Sequence, residues 1–169
     1  MKQQNDIEVV TLQFEDDGAI PNNPHFPVLI YKNAMDSNDQ LTEIINENIW
    51  GNSWVNGVFP YHHFHSNAHE LLIVLQGEAQ VQLGGEQGET VHAETGDVVI
   101  LPAGTGHKRL DASSDFKILG AYPNGDTHDM CYGEQSERPQ SLENIKSVPL
   151  PESDPIYGKE GPLFEHWKA

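Results

Sequence analysis

The sequence has little cysteine, few basic residues and no long apolar run. Cys131 is the single cysteine among 169 residues, so no disulfide can form within the chain. No stretch approaches the roughly 20 consecutive apolar residues of a membrane helix. The first residues, 1–6, lead into a mixed segment without the apolar core of a secretory signal. We therefore expect a cytoplasmic protein whose fold is stable without a disulfide.

Basic residues are outnumbered by acidic ones. Nine Lys and Arg stand against 26 Asp and Glu, which gives a formal net charge of −17. Such a surface repels phosphate backbones and anionic lipid head groups, although it also simply favours solubility. We therefore expect neither nucleic acid nor membrane as a partner, and expect a small-molecule ligand or substrate instead.

The chain length fits one domain with its own hydrophobic core. Residues 1–51 are predicted to form two strands, 7–14 and 27–31, and one helix that packs with them on the rest of the fold. Ser37 and Gln40 have the spacing of a capping box at the start of this helix. An apolar stripe follows at helical spacing, formed by Leu41, Ile44, Ile45 and Ile49.

The central segment, 52–124, has the pattern of short strands separated by glycine-rich turns. Residues 70–75 are apolar on both faces except for Glu70, which predicts a strand buried on both sides. A charge at the head of such a strand requires a partner. Many short antiparallel strands with regular turns predict an all-β barrel or sandwich.

The last segment, 125–169, is rich in proline. Five of the eleven prolines lie from Pro139 onward, which excludes long regular structure there. Ile156, Leu163 and Trp167 are nevertheless too apolar for a free linker. We expect an ordered arm that lies over the barrel or over a neighbouring subunit.

Histidine is concentrated in one place. Four of the nine histidines lie at positions 62–69, directly before Glu70. His63 and His65 are two residues apart, so on a strand they point to the same side. Imidazoles and a carboxylate are costly to bury in an apolar barrel unless they share an ion. His107, which follows a turn at the end of another apolar strand, is a further candidate ligand.

These residues carry a family resemblance. The segment Gly57-x5-His63-x-His65-x4-Glu70-x6-Gly77 resembles the first cupin motif, and Gly96-x5-Pro102-x-Gly104-x2-His107 resembles the second. The second motif often ends in Asn, and Asp111 holds that position here. The resemblance, to small bacterial single-domain cupins, implies a double-stranded β-helix (jelly-roll or cupin barrel) with one short N-terminal helix and a Pro-rich C-terminal arm. It also implies a homodimer.

The same resemblance implies a metal site. In the family these positions bind one divalent ion and leave one or two coordination positions open, which assigns His63, His65, Glu70 and His107 as ligands. A mixed imidazole and carboxylate set suits Fe, Mn, Ni, Zn, Co or Cu, and the sequence does not choose among them. The alternative is a cupin barrel in which the same histidines are merely packed.

Three further residues are candidates for binding a substrate. Tyr61 shares the phase of the two ligand histidines, and Tyr122 ends the last strand. Arg109 shares the inward phase of His107 if its strand is regular, and could clamp a carboxylate; a solvated position at the rim is the alternative. His62 and His69 should face away from the ligands by alternation, and His128 lies on a loop as either a lid residue or one without a role.

Two classes of function remain open. The first is a metal-dependent enzyme, of the dioxygenase or isomerase kind, that acts on a small polar metabolite. Oxygenase-type chemistry is favoured because no general base stands out beyond the ligands. The second is a non-catalytic binding or sensing module in which the metal holds the ligand. A third possibility is that the metal mainly stabilises the barrel.

Overall fold

The computed structural model describes residues 1–168 and places nine β-strands of this range in two antiparallel sheets. The strands are β1 (Glu8–Leu12), β2 (Val28–Lys32), β3 (Trp50–Asn56), β4 (Glu70–Gln76), β5 (Glu78–Leu83), β6 (Glu89–Glu94), β7 (Val98–Leu101), β8 (His107–Ala112) and β9 (Lys117–Pro123). The larger sheet has the order β1-β2-β7-β4-β9-β3, and the smaller one has the order β6-β5-β8. This arrangement confirms the predicted all-β, double-stranded β-helix.

Strand β4 lies at the centre of the larger sheet. Leu71 pairs with Ile100 of β7 on one side and with Ala121 of β9 on the other. Residues 70–74 are all buried, because both faces of the sheet are covered. The position of Glu70 at the head of this strand therefore places its carboxylate in the interior.

Two hydrophobic clusters lie on the two faces of the larger sheet. Leu71 and Ile73 belong to the first cluster, with Trp50 and the C-terminal arm. Leu72 and Val74 belong to the second, which fills the space between the two sheets. Alternation along β4 thus supplies both clusters, and the second cluster forms the barrel interior.

The N-terminal strands are part of the larger sheet rather than a separate layer on it. Leu29 of β2 pairs with Ile100 of β7, and β1 adds to the outer edge of β2. Val10, Leu12 and Phe14 pack against the second cluster, on the single face that their alternation indicates. The larger sheet therefore begins before residue 52.

Helix α1 (Leu41–Glu47) begins later than the capping-box pattern suggests. The hydroxyl of Ser37 accepts a hydrogen bond from the backbone N–H of Asp39, and does not cap the helix. Gln40, directly before the helix, has a left-handed conformation with φ 62°. The predicted capping box is wrong because a local turn uses the Ser37 oxygen first.

The C-terminal segment folds over the barrel of its own chain. It contains two short helices, α2 (Gln140–Ser147) and α3 (Leu163–His166). Ile156, Leu163 and Trp167 join the first hydrophobic cluster. Within residues 1–168, no helix has both the length and the apolar character needed to cross a membrane.

Candidate metal centre

Three histidines converge at one end of the barrel. One ring nitrogen of each of His63, His65 and His107 lies within 4.8 Å of the other two, and all three residues are buried. His63 precedes β4 and His107 begins β8, and two backbone hydrogen bonds of 3.2 and 3.0 Å join these two residues. This isolated bridge brings the two sequence motifs together.

The three rings share one hydrogen-bonding arrangement. Each uses Nδ1 to contact a backbone carbonyl, at 3.1 Å for His63, 2.5 Å for His65 and 3.0 Å for His107. The acceptors are Tyr61 for His63, Asp129 for His65 and Thr105 for His107. A neutral ring that donates from Nδ1 has a lone pair on Nε2, so the carbonyls hold three Nε2 atoms ready as ligands.

Glu70 completes the group. Its Oε2 lies 3.2 Å from His65 Nε2, and its Oε1 lies 3.1 Å from His107 Nε2. Oε2 accepts a hydrogen bond from Tyr122, whereas Oε1 is buried without a donor. His107 cannot supply that donor while its proton lies on Nδ1. A buried carboxylate oxygen without a hydrogen-bond donor requires a cation as its partner.

Burial and the neighbouring charges shift the pKa values of this group. Burial, together with the nearby His107, lowers the pKa of His63 to about 3. Burial opposes ionisation of Glu70, but His65 and His107 outweigh it and hold the pKa of Glu70 well below its usual range. Burial also lowers the pKa of His65, but the Glu70 carboxylate beside it raises that pKa above the ordinary value. The site therefore holds an anionic carboxylate at neutral pH.

The donor set fits a divalent transition metal. Three imidazole nitrogens and one carboxylate are ligands shared by Fe, Mn, Ni, Zn, Co and Cu. Ligand atoms bound at about 2.0–2.2 Å from one ion lie roughly 3 Å apart when adjacent. The contacts of Glu70 with His65 and His107, 3.2 and 3.1 Å, match that separation. The four residues predicted from the motifs thus lie together.

Comparison with known proteins bears on the fold and the family. Residues 54–116 match the Cupin_2 family, described as the cupin domain. The uncharacterised protein YjlB of Bacillus subtilis (strain 168) is 49% identical over 160 residues, which cover 95% of this chain and 97% of that protein. The chain belongs to the cupin superfamily. Cupins commonly bind a metal, and this cupin has a buried histidine triad.

Several solved structures are similar at low sequence identity. An uncharacterised double-stranded β-helix protein from Klebsiella pneumoniae is 12% identical with a TM-score of 0.39, over 79% of this chain and 85% of that one. A DUF861 family protein from Thermotoga maritima is 20% identical with a TM-score of 0.35, over 55% and 96%. A point mutant of the Bacillus subtilis oxalate decarboxylase OxdC is 19% identical with a TM-score of 0.37, over 65% and 28%. None of these similarities bears on the ligand or the reaction of this cupin.

A cavity of about 280 Å³ opens beside the four residues. Its lining includes His63, His65, Glu70 and His107 and is otherwise mostly apolar. The apolar side chains of the lining are those of Trp54, Val55, Val58, Phe59, Leu72, Ile118 and Met130. Among the described residues, no lysine or arginine lines it. This lining differs from what the expected polar metabolite would require.

Tyr122 lines the cavity, as the sequence suggests. Its hydroxyl donates to Glu70 Oε2 over 2.9 Å and accepts a hydrogen bond of 2.9 Å from Trp54 Nε1. Burial and the Glu70 carboxylate raise the pKa of this phenol, which keeps it protonated. Tyr122 therefore orients a candidate ligand of the metal.

Tyr61 and Arg109 do not line the cavity. Tyr61 is 42% exposed and stacks on Phe59, because the segment before β4 is irregular and strand alternation does not apply there. Arg109 borders a separate surface depression with Gly57, and the ladder between β8 and β5 is interrupted directly after it. The inward orientation expected for Tyr61 is therefore wrong, and Arg109 fits the alternative of a position at the rim.

His128 is a cavity residue that sequence reasoning left undecided. Its ring stacks on Tyr122 at 4.4 Å and meets His65 edge-on at 4.6 Å. Its Nδ1 is buried without a hydrogen-bond partner. The sequence feature that could have indicated this position is the Asn124-Gly125 turn directly after β9. This turn returns the chain across the end of the barrel.

The other two histidines of the cluster, His62 and His69, contact groups outside the site, as expected from the sequence. His62 Nε2 lies 3.1 Å from Glu86. His69 accepts a hydrogen bond from the backbone N–H of Ala103 and contacts the carbonyl of Pro149 in the C-terminal arm. His69 thus supports the arm rather than the candidate ligands.

Proposed function

We propose that this cupin holds one divalent transition-metal ion through His63, His65, Glu70 and His107, and acts on a small molecule bound in the adjoining cavity. The observation that carries the proposal is the set of three Nε2 atoms, oriented by three backbone carbonyls, beside a buried carboxylate oxygen without a donor. Fe, Mn, Ni, Zn, Co and Cu all suit this donor set.

The bound ion and the residues of the cavity would have different roles. A bound ion supplies Lewis acidity toward a ligand oxygen and, if redox-active, activation of dioxygen. Tyr122 keeps Glu70 oriented, and Asp129 holds the proton of His65 on Nδ1. His128 lines the cavity beside Tyr122 and His65. The apolar walls exclude water from the bound molecule.

Oxidation by dioxygen is the reaction class that we favour. Among the described residues, the lining offers neither a lysine nor a carboxylate other than Glu70. Glu70 is committed to the ion, so proton transfer at carbon would depend on His128 alone. Chemistry at the ion itself requires no further acid or base from the chain.

Dioxygen consumption tests this proposal. Protein reloaded with each metal in turn is incubated with pools of small metabolites while dissolved oxygen and new products are measured. We expect uptake that depends on the metal, is lost in His65→Ala and survives in His92→Ala, an exposed histidine on β6. Ligand binding without oxygen uptake or product would overturn the enzyme proposal and favour a binding or sensing module.

A homodimer in the cytoplasm is a further part of the proposal. Val55, Phe59, Tyr61, Leu110 and Tyr132 are large hydrophobic residues that remain exposed on the described chain. Exposed apolar side chains support association when they lie close together. The ring of Tyr61 contacts the ring of Phe59 and also the ring of Tyr132. Light scattering measures the mass, and a monomer would contradict the dimer.

A further inference from the structure

We infer that the ligand of this cupin has an apolar, ring-sized body joined to one oxygen-bearing head group. The head group would reach the candidate metal position, and the body would lie against the apolar wall. This inference rests on the proposed function and specifies its ligand class. Three properties of the cavity carry it: the distribution of polarity, the absence of cationic side chains from the described lining, and a rigid aromatic wall.

Apart from Asn56, the polar side chains that line the cavity lie together in one part of it. The hydrogen-bonding side chains His65, Glu70, Tyr122 and His128 contact one another in an unbroken series. The remaining side chains that face the space are mainly aliphatic, aromatic or thioether. A ligand that filled this cavity with hydroxyl or amide groups would leave many of them without partners, at a cost for each. One polar end and one apolar body fit this division.

The charges in the cavity exclude ligands with several anionic groups. Within residues 1–168, the lining contains no lysine or arginine, and its one acidic side chain, Glu70, lies at the candidate metal position. A carboxylate or phosphate away from the metal position would therefore be buried without a cationic partner. The net charge of −17 would also repel such a ligand as it approached. One head group at the metal position is the arrangement that these charges allow.

The apolar wall is formed before any ligand binds. Trp54 Nε1 donates to the Tyr122 hydroxyl over 2.9 Å, which fixes the indole on its strand. The same ring lies directly on the backbone of Gly120, where an added Cβ would overlap the indole. A ring held from two sides offers a flat surface at little entropic cost. The cavity volume, about 280 Å³, suits a ligand with one ring.

Two hydroxamates with the same head group test the inference. Benzohydroxamate and acetohydroxamate both chelate transition metals, but the first carries a phenyl ring and the second a methyl group. Calorimetric titration of metal-reloaded protein should show benzohydroxamate binding at least about tenfold tighter, because the ring buries apolar area. 4-Carboxybenzohydroxamate should bind at least about tenfold weaker than benzohydroxamate, because its second anion finds no cation. Equal affinities within either pair would overturn the inference.

A lysine introduced into the apolar wall of the cavity should reverse the preference for benzohydroxamate over 4-carboxybenzohydroxamate. In Met130→Lys, benzohydroxamate should lose affinity and the 4-carboxy compound should gain it, because Met130 lines the cavity. Thr90→Lys is the matched control, since Thr90 is exposed on β6 and lies outside that lining. The metal content of each sample is measured beside the titration. Protein that carries metal but does not discriminate between the probes overturns this inference alone, whereas protein that takes up no metal overturns the proposed function as well.

Discussion

Tyr122 donates a hydrogen bond from its phenol to Glu70 Oε2 over 2.9 Å, across the neighbouring strands β9 and β4. The phenol in turn accepts a hydrogen bond from Trp54 Nε1. These contacts join the apolar wall of the cavity to the buried carboxylate. Tyr122 is thus a positioning residue for Glu70, and it links the part of the site that would hold the ion to the part that would hold the ligand.

Tyr122→Phe should weaken metal binding about tenfold, because loss of a hydrogen bond to a ligand residue typically costs about 10–100-fold in affinity. Competition with a chromogenic chelator measures the affinity. Tyr157→Phe is the matched control, because the Tyr157 hydroxyl donates to the carbonyl of Lys2, in a different part of the chain. Equal affinity in the two variants would contradict the role given to Tyr122.

Gly120→Ala should destabilise the protein by about 1–3 kcal/mol, because the added methyl group would collide with the indole of Trp54. Denaturant unfolding measures the loss. Tryptophan emission should also change, since Trp50 and Trp167 are fully buried and Trp54 is the partly exposed indole. Gly57→Ala is the control, because no heavy atom lies within 4 Å of its added Cβ. Unfolding at the same denaturant concentration in both variants would refute the account of the wall.

Asp154→Ala should destabilise the C-terminal arm. Asp154 is fully buried and accepts hydrogen bonds from three backbone N–H groups and from the Tyr31 hydroxyl. Leaving such donors unpaired costs about 1–3 kcal/mol. Thermal unfolding measures the change, with Glu152→Ala, an exposed acidic residue two positions earlier, as the control. Similar melting temperatures for the two variants would show that the arm does not depend on this carboxylate.

His69→Ala should lower stability by about 1–3 kcal/mol, because it leaves the Ala103 N–H without its acceptor. Metal content should stay at the wild-type level, since the ring of His69 packs against Trp167 on the face of the sheet away from the site. Unfolding and elemental analysis of the same preparation separate the two effects. A folded variant that has lost its metal would place His69 among the residues that support the ion.

The candidate ligands could be predicted from the sequence because their placement depends on local geometry. Alternation places Glu70 at the head of a doubly buried strand, and the two motifs place His63 and His107 beside each other in the barrel. The burial of Glu70 follows from strand period, whereas the meeting of His63 and His107 was implied by the family resemblance. The family resemblance then supplied the ligand roles.

The rest of the cavity depends on contacts between distant segments. Tyr61 was assigned by strand phase, but the segment around it is irregular, so its ring turns toward solvent. His128 reaches the cavity because the loop after β9 folds back over the barrel, and its ring stacks on Tyr122. The start of α1 was missed because Ser37 makes a local turn instead of a cap. Loop paths of this kind follow from tertiary packing and leave no periodic signal.

Metal content per chain is the most direct test of the account. Untagged protein is reloaded with each candidate ion, passed through a desalting column and analysed by plasma mass spectrometry. The comparison includes a His65→Ala/Glu70→Ala double variant and His62→Ala as a control that removes a neighbouring histidine. The account predicts close to one ion per chain in the wild type and in His62→Ala, and a large loss in the double variant while its circular dichroism remains that of a folded β protein. Wild-type protein that stays empty with every metal, or a double variant that keeps its ion, would contradict it.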